Sequence, residues 1–296
     1  MPVSEYILSP IRHTNSSAKM SPANWDNWWD GKRPLFEYDD IFLDHFICAL
    51  TPVGGEILEA GCGLGRWVEL LRKKGYSCTG AETSEVAITK AQHLFPKCKF
   101  LKYDIANLEF AASDSIDTYL SWGVFEHFRE GPAKPLSEAF RVLKPGGILI
   151  ATIPNYSGYR RAIRLFTRVR DYLKSKPLIQ RLAGKPPSQS VWFEYQYTSE
   201  EFMSILSTSG FLPLNTIPLF VKHGVHMASS FLGASKTSIE LNYWGSLVES
   251  FVKKHYPSLF AHMNLYIVIK PYAKSTCKNY YSVIIRLRTA QMSVKL

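Results

Sequence analysis

Three glycines spaced two apart, Gly61, Gly63 and Gly65, follow the apolar run Ile57-Leu58-Glu59-Ala60 and precede Arg66-Trp67-Val68-Glu69-Leu70-Leu71. The order reads as strand, glycine loop and helix. Open α/β sheets use that order to aim backbone N–H groups and a helix N-terminus at a ligand. The spacing discriminates among ligands. A dinucleotide fingerprint, G-x-G-x-x-G, sets its third glycine five residues after the first. Here the interval is four, Arg66 takes the fifth position, and Glu59 stands two residues before Gly61. The chemistry such a loop serves is capture of a nucleoside-bearing cofactor through its backbone. Proton transfer near neutral pH would fall to a histidine, and His127, His223 and His226 are the candidates.

Four further segments carry polar groups where strands should end. Gly80-Ala81-Glu82-Thr83-Ser84 places a carboxylate at a strand's C-terminal edge, where it either accepts both ribose hydroxyls of a nucleoside or stands in solvent. In Tyr103-Asp104-Ile105 the carboxylate either meets a base or caps a helix. Ile116–Ser121 runs into Trp122-Gly123-Val124-Phe125-Glu126-His127, and Arg141-Val142-Leu143 into the turn Lys144-Pro145-Gly146-Gly147. In that turn proline fixes φ and glycine supplies the positive φ.

Five motifs in this order, at strand ends about 20 residues apart, resemble the class I S-adenosylmethionine (AdoMet)-dependent methyltransferases. The resemblance covers residues 40–155 closely and 196–272 loosely. It implies that Glu59, Gly61, Cys62 and Gly63 form the cofactor loop, and that Glu82 and Thr83 take the ribose. It further implies that Asp104 holds the adenine amine with Ile105 on the ring, and that Ser121 and Trp122 line the site. It leaves the catalytic base unassigned. Glu126-His127 matches a signature that capping and packing explain better than catalysis does. Quinone O-methyltransferases pair that signature with a glutamate three residues earlier to bind a divalent cation. Gly123 stands there, so no metal is expected.

The elements that must position these residues follow from the pattern. Helices over Ile41–Leu50, Arg66–Lys74, Ser84–Leu94 and Pro135–Leu143 alternate with strands over Glu56–Ala60, Ser77–Ala81, Cys98–Lys102, Ser115–Ser121 and Gly147–Ile153. Alternation of this kind specifies a parallel sheet. The capping-box start Thr198-Ser199-Glu200-Glu201 opens a helix to about Ser209. Phe211–Phe220 and Met263–Ile269 supply two last strands. The expected fold is an α/β, Rossmann-like, doubly wound seven-stranded sheet, mostly parallel with its last strand antiparallel. Its parts are an N-terminal cap (1–45), an AdoMet-binding core (46–155), a basic insertion or lid (156–195), the C-terminal part of the methyltransferase domain (196–272) and a tail without an assigned role (273–296).

Charge divides the chain. Residues 1–150 carry 16 Lys/Arg against 19 Asp/Glu, and residues 151–296 carry 19 against 6. Between Arg160 and Lys185 nine basic residues meet one acidic, Asp171. At helical pitch Arg160, Arg161, Arg164 and Arg168 share one face, while Ala162, Ile163, Phe166, Val169 and Leu173 share the other. Such a helix is either a lid with its apolar face on the domain or a device for anionic substrate or lipid over 158–185.

Five scattered cysteines without C-x-x-C spacing point to neither a zinc site nor a disulfide framework. No apolar run reaches the roughly 18–20 residues of a membrane span. The expected setting is therefore the cytoplasm, with peripheral contact at a membrane surface. The expected activity is methyl transfer to a small-molecule, sugar or lipid-linked acceptor, on oxygen by in-line displacement. RNA methylation and non-catalytic AdoMet binding are the alternatives. Ile153-Pro154-Asn155-Tyr156 only partly resembles the N-P-P-Y loop of amino-group nucleic-acid methylases, and nucleic acid is not the favoured partner.

Overall fold

The computed structural model describes residues 25–30, 41–163, 165–166, 194–228, 241–272 and 277–293. A short helix α1 (Trp25–Trp29) and helix α2 (Ile41–Leu50) precede strand β1 (Glu56–Ala60). Helix α3 (Arg66–Lys73), β2 (Ser77–Glu82), α4 (Glu85–Leu94), β3 (Lys99–Lys102), β4 (Ile116–Trp122), a 3-10 turn over Phe125–His127, α5 (Ala133–Val142) and β5 (Leu143–Pro154) complete the alternating half. Helix α6 (Ser199–Thr208), β6 (Leu212–Leu219), α7 (Val221–Ala228), α8 (Tyr243–His255), α9 (Pro257–Phe260), β7 (Met263–Ile269) and α10 (Cys277–Ser293) follow.

The seven strands form one sheet in the order β3-β2-β1-β4-β5-β7-β6. Strands β1 to β4 pair in parallel with their neighbours, β5 pairs in parallel with β4, and β7 runs antiparallel to both β5 and β6. The expected sheet is the one found, with strand order reversing between β1 and β4 and the antiparallel strand last in sequence. Side chains alternate between two buried layers, as strands covered on both faces require. Ile57, Leu120, Ile148 and Ile267 pack under α2, α3 and α10. Leu58, Tyr119, Leu149 and Tyr266 pack under α5 and α6. The capping box at Thr198 forms as the sequence specifies, its hydroxyl accepting from Glu201 N–H while the Glu201 carboxylate accepts from Thr198 N–H.

The tail, left without a role by the sequence, packs into the fold: Val283, Leu287 and Ala290 of α10 enter the core beside α2, and Arg286 donates to the Leu50 carbonyl. Burial of Val283 and Leu287 contributes about 1.5–3 kcal/mol each. The basic insertion is also turned differently from its wheel. Residues 158–163 are helical, but Arg160 points inward while Ile163 and Phe166 stand in solvent. Arg164, Arg168, Val169 and Leu173 lie outside the described residues.

Candidate active site

The C-terminal ends of β1, β2, β4 and β5 lie along one edge of the sheet, the edge where open α/β folds bind ligands. At β1 the loop turns on glycines held at φ 79° (Gly61) and 49° (Gly63). A Cβ at Gly61 would stand 2.5 Å from Val124, and one at Gly63 would stand 2.6 Å from the Trp29 ring. Both the left-handed backbone and the close approach therefore require glycine.

Glu82, at the end of β2, is nearly buried and its carboxylate crosses to this loop. Its Oε1 accepts from Thr83 N–H (2.8 Å), Ser84 N–H (3.0 Å) and the Thr83 hydroxyl (3.1 Å), while among the described residues Oε2 accepts only from Gly63 N–H (3.0 Å). Oε1 is saturated. Oε2 keeps acceptor capacity toward the loop, as a group that must receive a further hydroxyl would.

The remaining expected residues divide into several placements. Glu59 is buried beneath the loop, where desolvation pushes its carboxyl well above the ordinary range while Val68 N–H donates to it. Its Oε2 has no partner among the described residues. Cys62 is buried in the same layer, and burial pushes its thiol up, which makes it a packing group. Asp104 is exposed and accepts from Ala106 N–H (2.8 Å), capping the turn after β3, and Ile105 is a core residue against Ala60 and Ala81. Ser121 Oγ and Trp122 Nε1, at the end of β4, are buried without partners among the described residues, and the Trp122 ring lies 5.4 Å from that of Trp67. Buried polar atoms rarely lack a partner. Two such atoms beside a glycine cradle fit a polar cofactor at this edge.

The N-terminal cap closes over this region in a way the sequence did not show. Asp26 accepts from the Ser84 hydroxyl (2.6 Å) and from Val86 N–H (3.2 Å), tying α1 to the start of α4. Lys90 donates to the Trp29 carbonyl (2.9 Å), and Trp25 meets His127 edge-on at 4.9 Å.

The other end of the edge carries a string of titratable groups. Glu126, in the 3-10 turn, is buried, and its Oε2 has no partner among the described residues. Burial, then the neighbouring Glu194, pushes its carboxyl well above the ordinary range. Ligand-type atoms of Glu126, His127 and Glu194 lie within 4.8 Å of one another. Glu194 thus brings a second carboxylate from a loop beside Glu126 and His127. Gly123 itself is held at φ 66° with Glu126 Oε1 3.2 Å from where a Cβ would stand, so a glutamate there would be strained. Burial pushes the Glu194 carboxyl up, against a hydrogen bond from Gln196 and then the charge of Arg160.

Arg160 in turn donates to the Asn155 carbonyl (3.2 Å) and to His262 Nδ1 (2.5 Å). A guanidinium only donates, so Nδ1 accepts and the proton of His262 sits on Nε2. Burial, Arg160 and His223 push His262 down to about 2. His223 packs 4.2 Å away, ring to ring, and burial followed by Arg160 and His226 lowers it too. Both imidazoles are therefore neutral at pH 7. Of the three histidines singled out by sequence, His127 and His223 reach this edge near its polar groups. His262 and Glu194 were missed. His262 could have been found, because an antiparallel last strand begins where the parallel strands end. No local signal marks Glu194.

Residues 58–151 match the family model described as a methyltransferase domain. A probable S-adenosylmethionine-dependent methyltransferase of Mycolicibacterium smegmatis is 23% identical over 68% of this chain and 65% of its own length. A ubiquinone biosynthesis O-methyltransferase of Alkalilimnicola ehrlichii is 30% identical over 48% of this chain and 60% of its own. The chain thus spans a little under two thirds of the length of these relatives. Among solved structures, an S-adenosylmethionine-dependent methyltransferase of Methanosarcina mazei superposes with a TM-score of 0.52 at 19% identity, covering 80% of this chain and all of that one. A phosphoethanolamine N-methyltransferase of Haemonchus contortus, in complex with S-adenosyl-L-methionine, gives 0.52 at 15% identity over 86% of this chain and 59% of its own. Sheet order, glycine turn and sequence match agree: residues 58–151 belong to the class I S-adenosylmethionine-dependent methyltransferases.

Proposed function

We propose that this chain binds AdoMet at the β1–β2–β4 edge and transfers its methyl group to an acceptor held at the β5–β7 end. The observation that carries the reading is the Glu82 carboxylate, fixed by three backbone N–H groups against a loop in which only glycine fits. AdoMet supplies a methyl group already activated on a sulfonium. The protein's task is then alignment and exclusion of water. Gly61 and Gly63 let the backbone approach the cofactor, Glu82 Oε2 accepts from its ribose, and Ser121 and Trp122 offer polar atoms at the end of β4. Asp104 and Ile105 form the wall after β3, with Ile105 buried behind Asp104. Glu59 supports the loop from beneath through Val68 N–H.

The acceptor reading is oxygen on a small-molecule, sugar or lipid-linked compound. A hydroxyl must lose its proton as it attacks. The group able to take it is neutral His223. The 30% identity to a ubiquinone biosynthesis O-methyltransferase supports oxygen as the acceptor atom. Calorimetry with AdoMet and with NADH tests the donor. Binding of NADH without AdoMet would overturn the reading. Labelled-methyl transfer into lipid, glycan, RNA and small-molecule fractions tests the acceptor, and label confined to RNA would overturn it.

A further inference from the structure

Helices α7, α8 and α9 fill the connection between β6 and β7, which returns to the sheet at the acceptor end of the functional edge. One side of α8 is built into the fold: Val252 is buried, and with Val221 and Val225 of α7 it forms a small core that Val248 and Phe260 adjoin. Gly245 is buried as well. The other side is not polar, as an amphipathic helix on a soluble surface requires. Tyr243 (71% exposed), Trp244 (59%), Leu247 and Phe251 (59%) fall within an arc of about 100° at helical pitch. Tyr256 and Leu259, next along the chain, are exposed too.

The patch continues across the fold. Gly158 lies against Leu259, and Tyr159 stacks on Phe260 at 5.3 Å, so the helix over 158–163 joins α9. That helix leads to exposed Ile163, Leu165 and Phe166. Nine large apolar or aromatic side chains from two separate segments thus stand outward at one end of the molecule. Contiguous apolar surface of this kind marks an interaction site.

We propose that this surface, centred on α8, docks the protein on an anionic phospholipid bilayer. Charge selects the occupant. Exposed Lys254 lies inside the apolar arc, Lys253 and His255 extend its C-terminal end, and exposed Arg161 and Lys222 belong to the adjoining helices. Glu249 is the one acidic residue of α8. A second copy of the chain would set these cations against their own kind. An anionic bilayer offers them opposite charge and offers the rings the headgroup boundary, where Trp and Tyr reside and Lys side chains snorkel. No helix among the described residues is long and apolar enough to cross a membrane, so the contact is interfacial. The docking surface centres on α8 and α9 and takes in residues 158–166 at the start of the basic insertion that the sequence singled out. It turns the acceptor end of the site toward the membrane.

Flotation of the full chain with vesicles tests this without any methyl donor, so its failure would leave the AdoMet reading standing. The chain floats with phosphatidylcholine/phosphatidylglycerol vesicles, and with pure phosphatidylcholine the bound fraction falls about tenfold or more, in line with polybasic attraction to anionic lipid. The double variant Trp244→Glu/Phe251→Glu loses the vesicle fraction while keeping its circular dichroism and AdoMet affinity, since both side chains are exposed. Lys253→Glu/Lys254→Glu loses the preference for anionic vesicles. A wild-type chain that stays unbound with anionic vesicles would overturn the proposal. So would a Trp244/Phe251 variant that floats as the wild type does, or one that only changes a dimer into a monomer.

Discussion

The two ends of the functional edge are built on different principles. At the β1–β2 end nearly every contact is backbone: glycines at positive φ, N–H groups donating to Glu82, and a cap tied down by Asp26 on Val86 N–H. At the β5–β7 end the contacts are side chain to side chain or side chain to carbonyl, running from Glu126 and Glu194 through Arg160 to His262 and His223. Backbone geometry follows from strand ends and glycine positions, so it tolerates sequence change elsewhere. A side-chain network depends on residues far apart in the chain and can be rebuilt for a different acceptor. On the proposed reading, the donor end thus rests on backbone geometry and the acceptor end on a side-chain network.

The sharpest way to break this contrast is at Gly61. Gly61→Val would place a branched side chain against Val124 at positive φ, and AdoMet affinity by calorimetry should fall about 100-fold or more, given a left-handed cost of roughly 1–2 kcal/mol before the clash is counted. Retained affinity would show that the loop is not a backbone cradle. Glu82→Ala removes a charged acceptor and should raise the dissociation constant for AdoMet about tenfold or more. An unchanged constant contradicts the ribose assignment.

The acceptor end should respond to pH instead. His262 is held neutral in the fold against an ordinary value of 6.5, so the unfolded chain binds its proton first as pH falls. Wild-type melting temperature should therefore drop as pH is lowered below about 6.5, and His262→Asn should drop less, with AdoMet affinity unaltered. Glu126 has the opposite sign. Its carboxyl is raised above 4.5, so stability present below that value is lost as pH rises through the folded value. Glu126→Gln should flatten the alkaline side of the melting profile, and parallel profiles for variant and wild type would refute the buried-pair account. The smallest effect is expected at the cap: Asp26→Ala should weaken AdoMet binding only about threefold, since one helix-capping contact is worth about 1 kcal/mol.

The sheet was legible because period and punctuation agree along the chain. Apolar runs of five to seven residues ended by Gly61, Glu82, Trp122 and Pro154 can only be parallel strands with their polar ends on one edge. The inward turn of Arg160 was not legible, because a helical wheel orders a helix around its own axis and says nothing about which face meets the domain. Here a buried hydrogen-bond acceptor, His262, outweighed the apolar side of the helix and left Ile163 and Phe166 in water. The tail's role was hidden for a similar reason, since the sheet face that receives Val283 and Leu287 exists only after α2 and β1 have packed.

The sequence by itself determined the donor: the four-residue glycine interval, Glu82 and the strand order are local or topological features, and local spacing fixes backbone geometry. Only the tertiary structure decided which titratable residues meet at the β5–β7 end and which surface is left apolar. Glu126 and Glu194, Arg160 and His262, and Gly158 and Leu259 meet across 68 to 102 positions of chain, and no local pattern encodes a contact made at that separation.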